Sequence, residues 1–367
     1  MTPDLMRCVD LAYAAERAGD IVGALEWYRA VPMFGKGRNV QLLAGLVAVG
    51  DELPEWGWAR YLAYLAVRCE DGETGQRVRL AGSGVGMAIH EPLMEQCYDE
   101  GGDPMRVHAR VFGESWAFHQ AAAHEVGALA AYIDEFAVGR LAEHADLAQG
   151  WIDARMSGYE IGDSLPDHVL RVREATSSAW MEVLDLGARA CAPHGWVLGR
   201  LVPSGVGDRL MFDRHPLGVT KRLAAAVAKS DDWLECLAVA VGRGRIAQDT
   251  LLREDYELLC DVPELELLRF GTPPRDHERV MLQLREGRDE VARAAFRILE
   301  RARRDEIAES DMPYVAAALL NPRAHAEALR ALRPEHHARW AAIAGSLVAP
   351  ARGRARALAG ASPTEAE

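Results

Sequence analysis

Lysine is the scarcest charge in this chain. Lys36, Lys221 and Lys229 are the only three, and 42 basic residues less these three leaves 39 arginines. Acidic residues number 55, and the formal net charge is −13. A surface that tracks a polyanion needs clustered Lys and Arg. The balance therefore argues against nucleic acid as a partner, one local basic patch aside. Cysteine is also sparse. Cys8, Cys69, Cys97, Cys191, Cys236 and Cys260 are scattered without a CxxC pair. That excludes the usual zinc-ribbon spacing, offers no disulfide framework and suits a reducing compartment. Runs of about 18 uncharged apolar residues are missing, so no membrane span is expected. The start, Met1-Thr-Pro-Asp-Leu5, lacks the basic and apolar segments of a signal peptide. A cytoplasmic location is the expectation. There is no H-E-x-x-H, no E-x-x-H repeated on two helices and no G-x-S-x-G. The expectation is accordingly no cofactor and no metal, and no motif names a reaction.

What the chain does have is core-forming capacity. Hydrophobic residues at 49% and charged residues at 26% are ordinary for a globular protein. At 367 residues the length suits two or three domains. Only one stretch, about His168 to Val219, reads as β-structure. His168-Val-Leu-Arg-Val-Arg-Glu174 alternates, with Leu170 and Val172 on one side and Arg171 and Arg173 on the other. Trp180–Leu186, Trp196–Val202 and Leu210–Asp213 are three further short runs, separated by glycine- and proline-rich turns. Four short strands in succession read as an antiparallel meander, one face packed on helices. Arg171, Arg173, Glu182, Arg200 and Asp213 are expected on the wet face or at strand ends.

Residues 4 to 31 carry the clearest local motif. Leu5–Ala18 reads as a helix, Gly19-Asp20 as a turn and Ile21–Val31 as a second helix. The spacing of Ala12, Ala15, Gly19, Asp20, Ala24 and Tyr28 resembles a tetratricopeptide repeat, whose period is about 34 residues. A second Gly-Asp pair stands at Gly50-Asp51, after which Pro54-Glu-Trp-Gly-Trp58 departs from the repeat. The resemblance covers the first hairpin, and what it implies is a protein partner. Ala81-Gly-Ser-Gly-Val-Gly86 lacks the preceding strand of a phosphate-binding turn and reads as a flexible connector.

The remainder reads as helical. From Met105 an apolar stripe runs to Trp151, after a break at Gly101–Pro104. His90, His108, His119, His124 and His144 lie here beside Glu91, Glu95, Glu125 and Glu143. In an α-helix His119 and His124 stand about 140° apart, which is poor geometry for sharing a metal. Beyond the β region come helices from 220 to 349 with a break at Gly271–Pro274, and a tail from Pro350 with a disordered composition.

Two groups are candidate binding residues. Phe212-Asp-Arg-His-Pro216 places Asp213, Arg214 and His215 where a strand ends, with Arg200 on the strand before it. An Asp orienting a His makes a general base, yet no nucleophile motif accompanies it, and a structural turn with a local ion pair is the plainer reading. Trp56 and Trp58 are interface candidates, set against the commoner role of tryptophan in a core. The fold expected is mainly α with a central antiparallel β-meander of about four strands, an α+β class with helical hairpins at both ends. The segments are 1–80 (tetratricopeptide-like), 88–158 (helical), 159–219 (β), 220–349 (helical) and 350–367 (tail). The leading functional expectation is a non-enzymatic cytoplasmic adaptor for a protein partner. The alternative is an enzyme with a His/carboxylate site where the helices of 90–146 meet the β region.

Overall fold

In a computed structural model the structure describes residues 2–32, 34, 38–99, 112–113, 115–246, 248–252 and 277–360. The expected breaks at Gly101–Pro104 and Gly271–Pro274, and His108, lie outside these residues. The described chain is mainly helical around one small sheet, an α+β fold.

Local chemistry sets the helix ends. α1 (Pro3–Ala18) starts on the Thr2 hydroxyl, which accepts from Leu5 N, and stops at Gly19 in the left-handed region. Asp20 then caps α2 (Ile21–Ala30) through Gly23 N. Tyr28 donates to the Glu16 carboxylate at 2.9 Å within this hairpin. α3 (Arg38–Val49), α4 (Glu55–Val67) and α5 (Gly72–Val85) continue the helical body. Residues 81–86 are not a connector. They end α5 and enter a π-turn, Gly86–His90, because Gly84 packs on another backbone: a Cβ there would stand 2.8 Å from the Leu320 carbonyl carbon. α6 (Glu91–Asp99) follows. α7 (Trp116–Gln120), capped by Ser115, runs into a second π-turn, Ala121–Glu125. α8 (Ala128–Glu135), α9 (Gly139–Glu143) and α10 (Ala145–Gln149) lead to the sheet.

The sheet is a closed barrel and not a meander. Its strands are β1 (Met156–Leu165), β2 (Val169–Glu174), β3 (Met181–Leu184), β4 (Trp196–Pro203), β5 (Leu210–Phe212) and β6 (Leu217–Gly218). The order is β1-β2-β3-β5-β4-β6, and β1 also pairs with β4. Strands 4-1-2-3 therefore make a Greek key, and β5 closes it, parallel to β3 at Val183↔Leu210 and antiparallel to β4 at Leu201↔Phe212. Closure depends on β1, whose first residues fall in the segment expected to be helical (88–158) and whose remainder precedes the first expected strand at His168. Its first half pairs with β4 (Met156↔Arg200 to Glu160↔Trp196) and its second with β2, with an irregular register between Ile161 and Ser164 where the strand turns the corner.

Alternation on the strands sorts two cores. Tyr159, Leu170, Val172, Val183, Val197 and Phe212 fill the barrel. Met156, Leu198, Val202 and Met211 face outward into the main core shared with the helices. Gly158 lets α11 (Lys221–Lys229) lie directly on β1, since a Cβ there would stand 2.2 Å from the Ala224 carbonyl oxygen. α12 (Trp233–Gly242) and α13 (Gln248–Leu251) come next. α14 (His277–Arg303), α15 (Met312–Leu319), α16 (Pro322–Arg330) and α17 (His337–Gly345) complete most of the C-terminal part. Of the tail expected to be disordered over 350–367, residues Ala351–Leu358 form α18, and 361–367 lie outside the described residues. Ala351, Ala355 and Leu358 are buried in the main core, and the buried Arg354 donates to Asp232 and to the Leu319 and Leu320 carbonyls, each at 2.9 Å. Alanine spacing at i and i+4 supplies the apolar stripe, and arginine beside it supplies an internal clamp.

Candidate functional site

Arg200 and Asp213 do not sit on a wet face. On β4 the residues 196, 198, 200 and 202 point at the helices, so Arg200 is carried into the helix–barrel junction, and Asp213 follows at the end of β5. Both are buried. Burying a charge is expensive unless it is paired and hydrogen-bonded, and here both are. Arg200 is ion-paired with Glu125, donates from Nε to Gln120 Oε1 at 2.6 Å, and donates to the Ala154 carbonyl. Gln120 passes the chain on, donating to Asp213 Oδ2 at 2.9 Å. His124 Nε2 stands 3.3 Å from the same Oδ2. Glu125 Oε1 accepts from Trp233 Nε1 at 2.8 Å. Arg60 of α4 donates to the Asp213 and Phe212 carbonyls at 2.8 and 2.9 Å, fixing the end of β5.

Local sequence explains how one helix delivers three of these groups. Trp116-Ala-Phe-His-Gln-Ala-Ala-Ala-His-Glu125 buries all its residues. Its alanines admit close neighbours, and its polar residues have no solvent to turn to. The π-turn at Ala121–Glu125 shifts the register by about one residue relative to an α-helix. His124 reaches Asp213 while the adjacent Glu125 reaches Arg200 and Trp233.

The electrostatics follow from burial. Burial, reinforced by the Arg200 guanidinium, holds the His124 imidazole below its ordinary range against the pull of Asp213. Burial alone would raise the Asp213 carboxyl. The His124 hydrogen bond and the Arg214 and Arg200 guanidinium groups outweigh it and hold that carboxyl below its usual value. Burial pushes Glu125 up to about 7, although Arg200 and Trp233 pull the other way. An ionised Asp213 is acceptor only, so the proton of a neutral His124 resides on Nε2 and its Nδ1 carries a lone pair. His124 Nδ1, Glu125 Oε2 and Asp213 Oδ1 are buried atoms without a hydrogen-bond partner among the described residues.

His124, Glu125 and Arg200 line the buried end of a cleft of about 150 Å³. Its outer end is formed by Arg155, Asp231 and the C-terminal residues Val348 and Arg352. A cavity of about this volume holds a benzene-sized molecule.

The remaining sequence candidates are distributed around this junction. Arg214 is buried and acts on both Asp213 and His124. His215 lies on another side of the strand end, its Nδ1 3.2 Å from Cys191 Sγ and its carbonyl accepting from Trp116 Nε1 at 3.0 Å. Trp58 is a core residue, stacked on His144 at 4.8 Å between ring centroids. Trp56 is half-buried, with the Arg60 guanidinium over its ring. Neither tryptophan lines the cleft. His144 bonds Glu55, and His90 bonds the Ser115 hydroxyl at 2.8 Å in a separate buried pair. Gln120, Arg60, Trp233 and Arg352 were not legible as site residues. The one available signal for Gln120 was a polar residue inside an alanine-rich apolar helix. Among the described residues no three His, Cys, Asp or Glu side chains group as a metal site.

The chain matches no protein family, no curated protein and no solved structure.

Proposed function

We propose that the junction between the helical body and the barrel is a small-molecule site for acid–base chemistry, with His124 as general base. The observation that carries this reading is the pairing of His124 with Asp213 at the buried end of a cleft, with Nδ1 left unpartnered. Asp213 holds the imidazole in the tautomer that leaves Nδ1 able to accept a proton, and would stabilise the imidazolium that forms. The ligand would supply that proton from a hydroxyl or amine. Glu125, in the same cleft with its carboxyl near 7, is suited to give a proton back. Groups in one cleft whose environments push their protonation in opposite senses are candidates for such paired roles. The barrel is not itself the argument, because folds host many unrelated functions.

The test is a titration of the His124 ring signals, by ¹⁵N and ¹³C NMR, with the small-molecule fraction of a cell extract. The expected result is a saturable shift of the His124 signals that Glu125→Gln weakens. Ring signals that stay fixed across every fraction would overturn the proposal.

A second reading keeps the adaptor role. It rests on Met6, Tyr13, Val22 and Trp27, which the N-terminal hairpin leaves 56, 42, 54 and 39% exposed. A tetratricopeptide-like hairpin with exposed apolar side chains would suit a protein partner. Loss of a retained protein on replacing Met6 and Trp27 with serine would support it, and unchanged retention would remove it.

A further inference from the structure

We infer that the ligand of this cleft carries an anionic group, a carboxylate or a phosphate, held at the outer end by Arg155 and Arg352, and a hydrogen-bond donor at the buried end. The inference rests on the site reading above and adds the class of molecule.

The charges that line the cleft are balanced, and a partner outside it tips the balance toward positive. Arg155, Arg200 and Arg352 line it, against Glu125, Asp153 and Asp231. Arg356 is ion-paired with Asp231 and cancels that charge. Glu125 is already paired with Arg200. That leaves Arg155 and Arg352 against Asp153, a local excess of one positive charge in a chain whose net charge is −13. Such a setting concentrates a small anion.

The arginines at the outer end are also uncommitted. Among the described residues neither Arg155 nor Arg352 has a carboxylate partner. Arg155 gives one bond to the Ala228 carbonyl at 3.2 Å, and Arg352 gives its Nε to the Leu347 carbonyl at 2.7 Å. The second bond orients the Arg352 fork without neutralising it, and a guanidinium with free N–H groups matches carboxylate and phosphate oxygens. What sets these two apart is that both line the same cleft, whereas Arg140, Arg173, Arg285, Arg323 and Arg339 are held in ion pairs away from it.

The buried end asks for the opposite group. His124 and Glu125 have side chains 3% and 1% exposed, and each has an acceptor atom without a partner. An amine can donate to both, and a hydroxyl can donate to His124 Nδ1 while accepting from a protonated Glu125. The two requirements together describe a short molecule such as a hydroxy acid, an amino acid or a small phosphate ester. The C-terminal segment thereby becomes part of the site, since Val348 and Arg352 close its outer end and α18 is clamped by Arg354.

The experiment uses the full chain, with inorganic phosphate, glycolate and neutral ethylene glycol as probes, read by NMR on the Arg155 and Arg352 Nε–H and His124 ring signals. The expected result is saturable binding of at least one anion that shifts all three residues. Arg352→Gln and Arg155→Gln should each weaken it about ten-fold at unchanged Tm. Phosphate alone binding would assign a phosphate ester, and glycolate alone a carboxylate. Binding of ethylene glycol at His124 with neither anion binding would overturn this inference and leave the acid–base site standing. Anion binding that moves the arginines but never His124 would keep the anion site and sink the acid–base reading. Anion binding unaffected by both arginine variants would also overturn the inference.

Discussion

His124 Nε2 lies 3.3 Å from Asp213 Oδ2, joining a π-turn of the helical body to the end of a barrel strand. The two residues are 89 positions apart in sequence. Neither makes sense alone: a buried carboxylate needs donors, and a buried imidazole needs a partner that fixes its tautomer.

That relationship predicts the proton's place. At neutral pH the His124 ring is neutral, protonated on Nε2 and bare on Nδ1. Long-range ¹H–¹⁵N correlation should show one protonated and one unprotonated ring nitrogen. Its folded-state value is depressed, so the stability it contributes is present above pH 6.5, the ordinary value, and is lost as pH falls below it. Finding His124 doubly protonated at pH 7 would contradict the assignment.

Glu125 should make the opposite contribution. Its folded value of about 7 lies above the ordinary 4.5. A raised value contributes stability that is complete below pH 4.5 and lost as pH rises through about 7. Glu125→Gln removes that dependence. The stability difference between wild type and variant should change by about 3 kcal/mol across this window, favouring wild type at the acid end. Urea denaturation at several pH values checks it, and parallel profiles would show that Glu125 titrates normally.

Gly84 offers a test of the fold with an informative sign. In an exposed helix, Gly→Ala gains stability of up to about 1 kcal/mol. Here the added carbon meets the Leu320–Asn321 backbone at 2.8 and 2.9 Å. Gly84→Val should lose about 1–3 kcal/mol by overpacking, and Gly84→Ala should lose stability too. A raised Tm for the alanine variant would mean the two helices are not in contact there.

Arg354 tests the C-terminal clamp. Arg354→Met keeps much of the volume but removes the donor to the Leu319 and Leu320 carbonyls and the ion-pair partner of the part-buried Asp232. A loss of about 3 kcal/mol or more is expected by denaturation. A change within about 0.5 kcal/mol would place the segment on the surface.

The sequence was readable where periodicity and local chemistry agree. Gly19-Asp20 marks a helix stop and start, and Val169–Glu174 alternates as a strand does. It misled where tertiary contact decides. Met156–Leu165 holds Gly158 and Gly162 and reads poorly as a strand, yet those glycines are where a helix crosses and where the barrel bends. Without that strand a closed barrel looks like a meander. Residues 81–86 read as a connector because nothing local reveals that Gly84 faces a backbone. Arg200 and Asp213 were singled out, but charged residues on a strand point to water until a network such as Gln120–His124–Glu125 is seen opposite them. The arginine-rich end reads as disordered because its pairing partners, Asp231 and Asp232, lie more than 100 positions earlier in the sequence.

The most direct test of the central claim is retention. The tagged full chain is recovered from extract alongside its Glu125→Gln and Arg352→Gln variants, and mass spectrometry reads both proteins and small molecules. The account predicts a small polar anion with a hydroxyl or amine, held by the wild type and depleted in both variants. A protein partner held equally by all three forms, with no small molecule specific to the wild type, would contradict it.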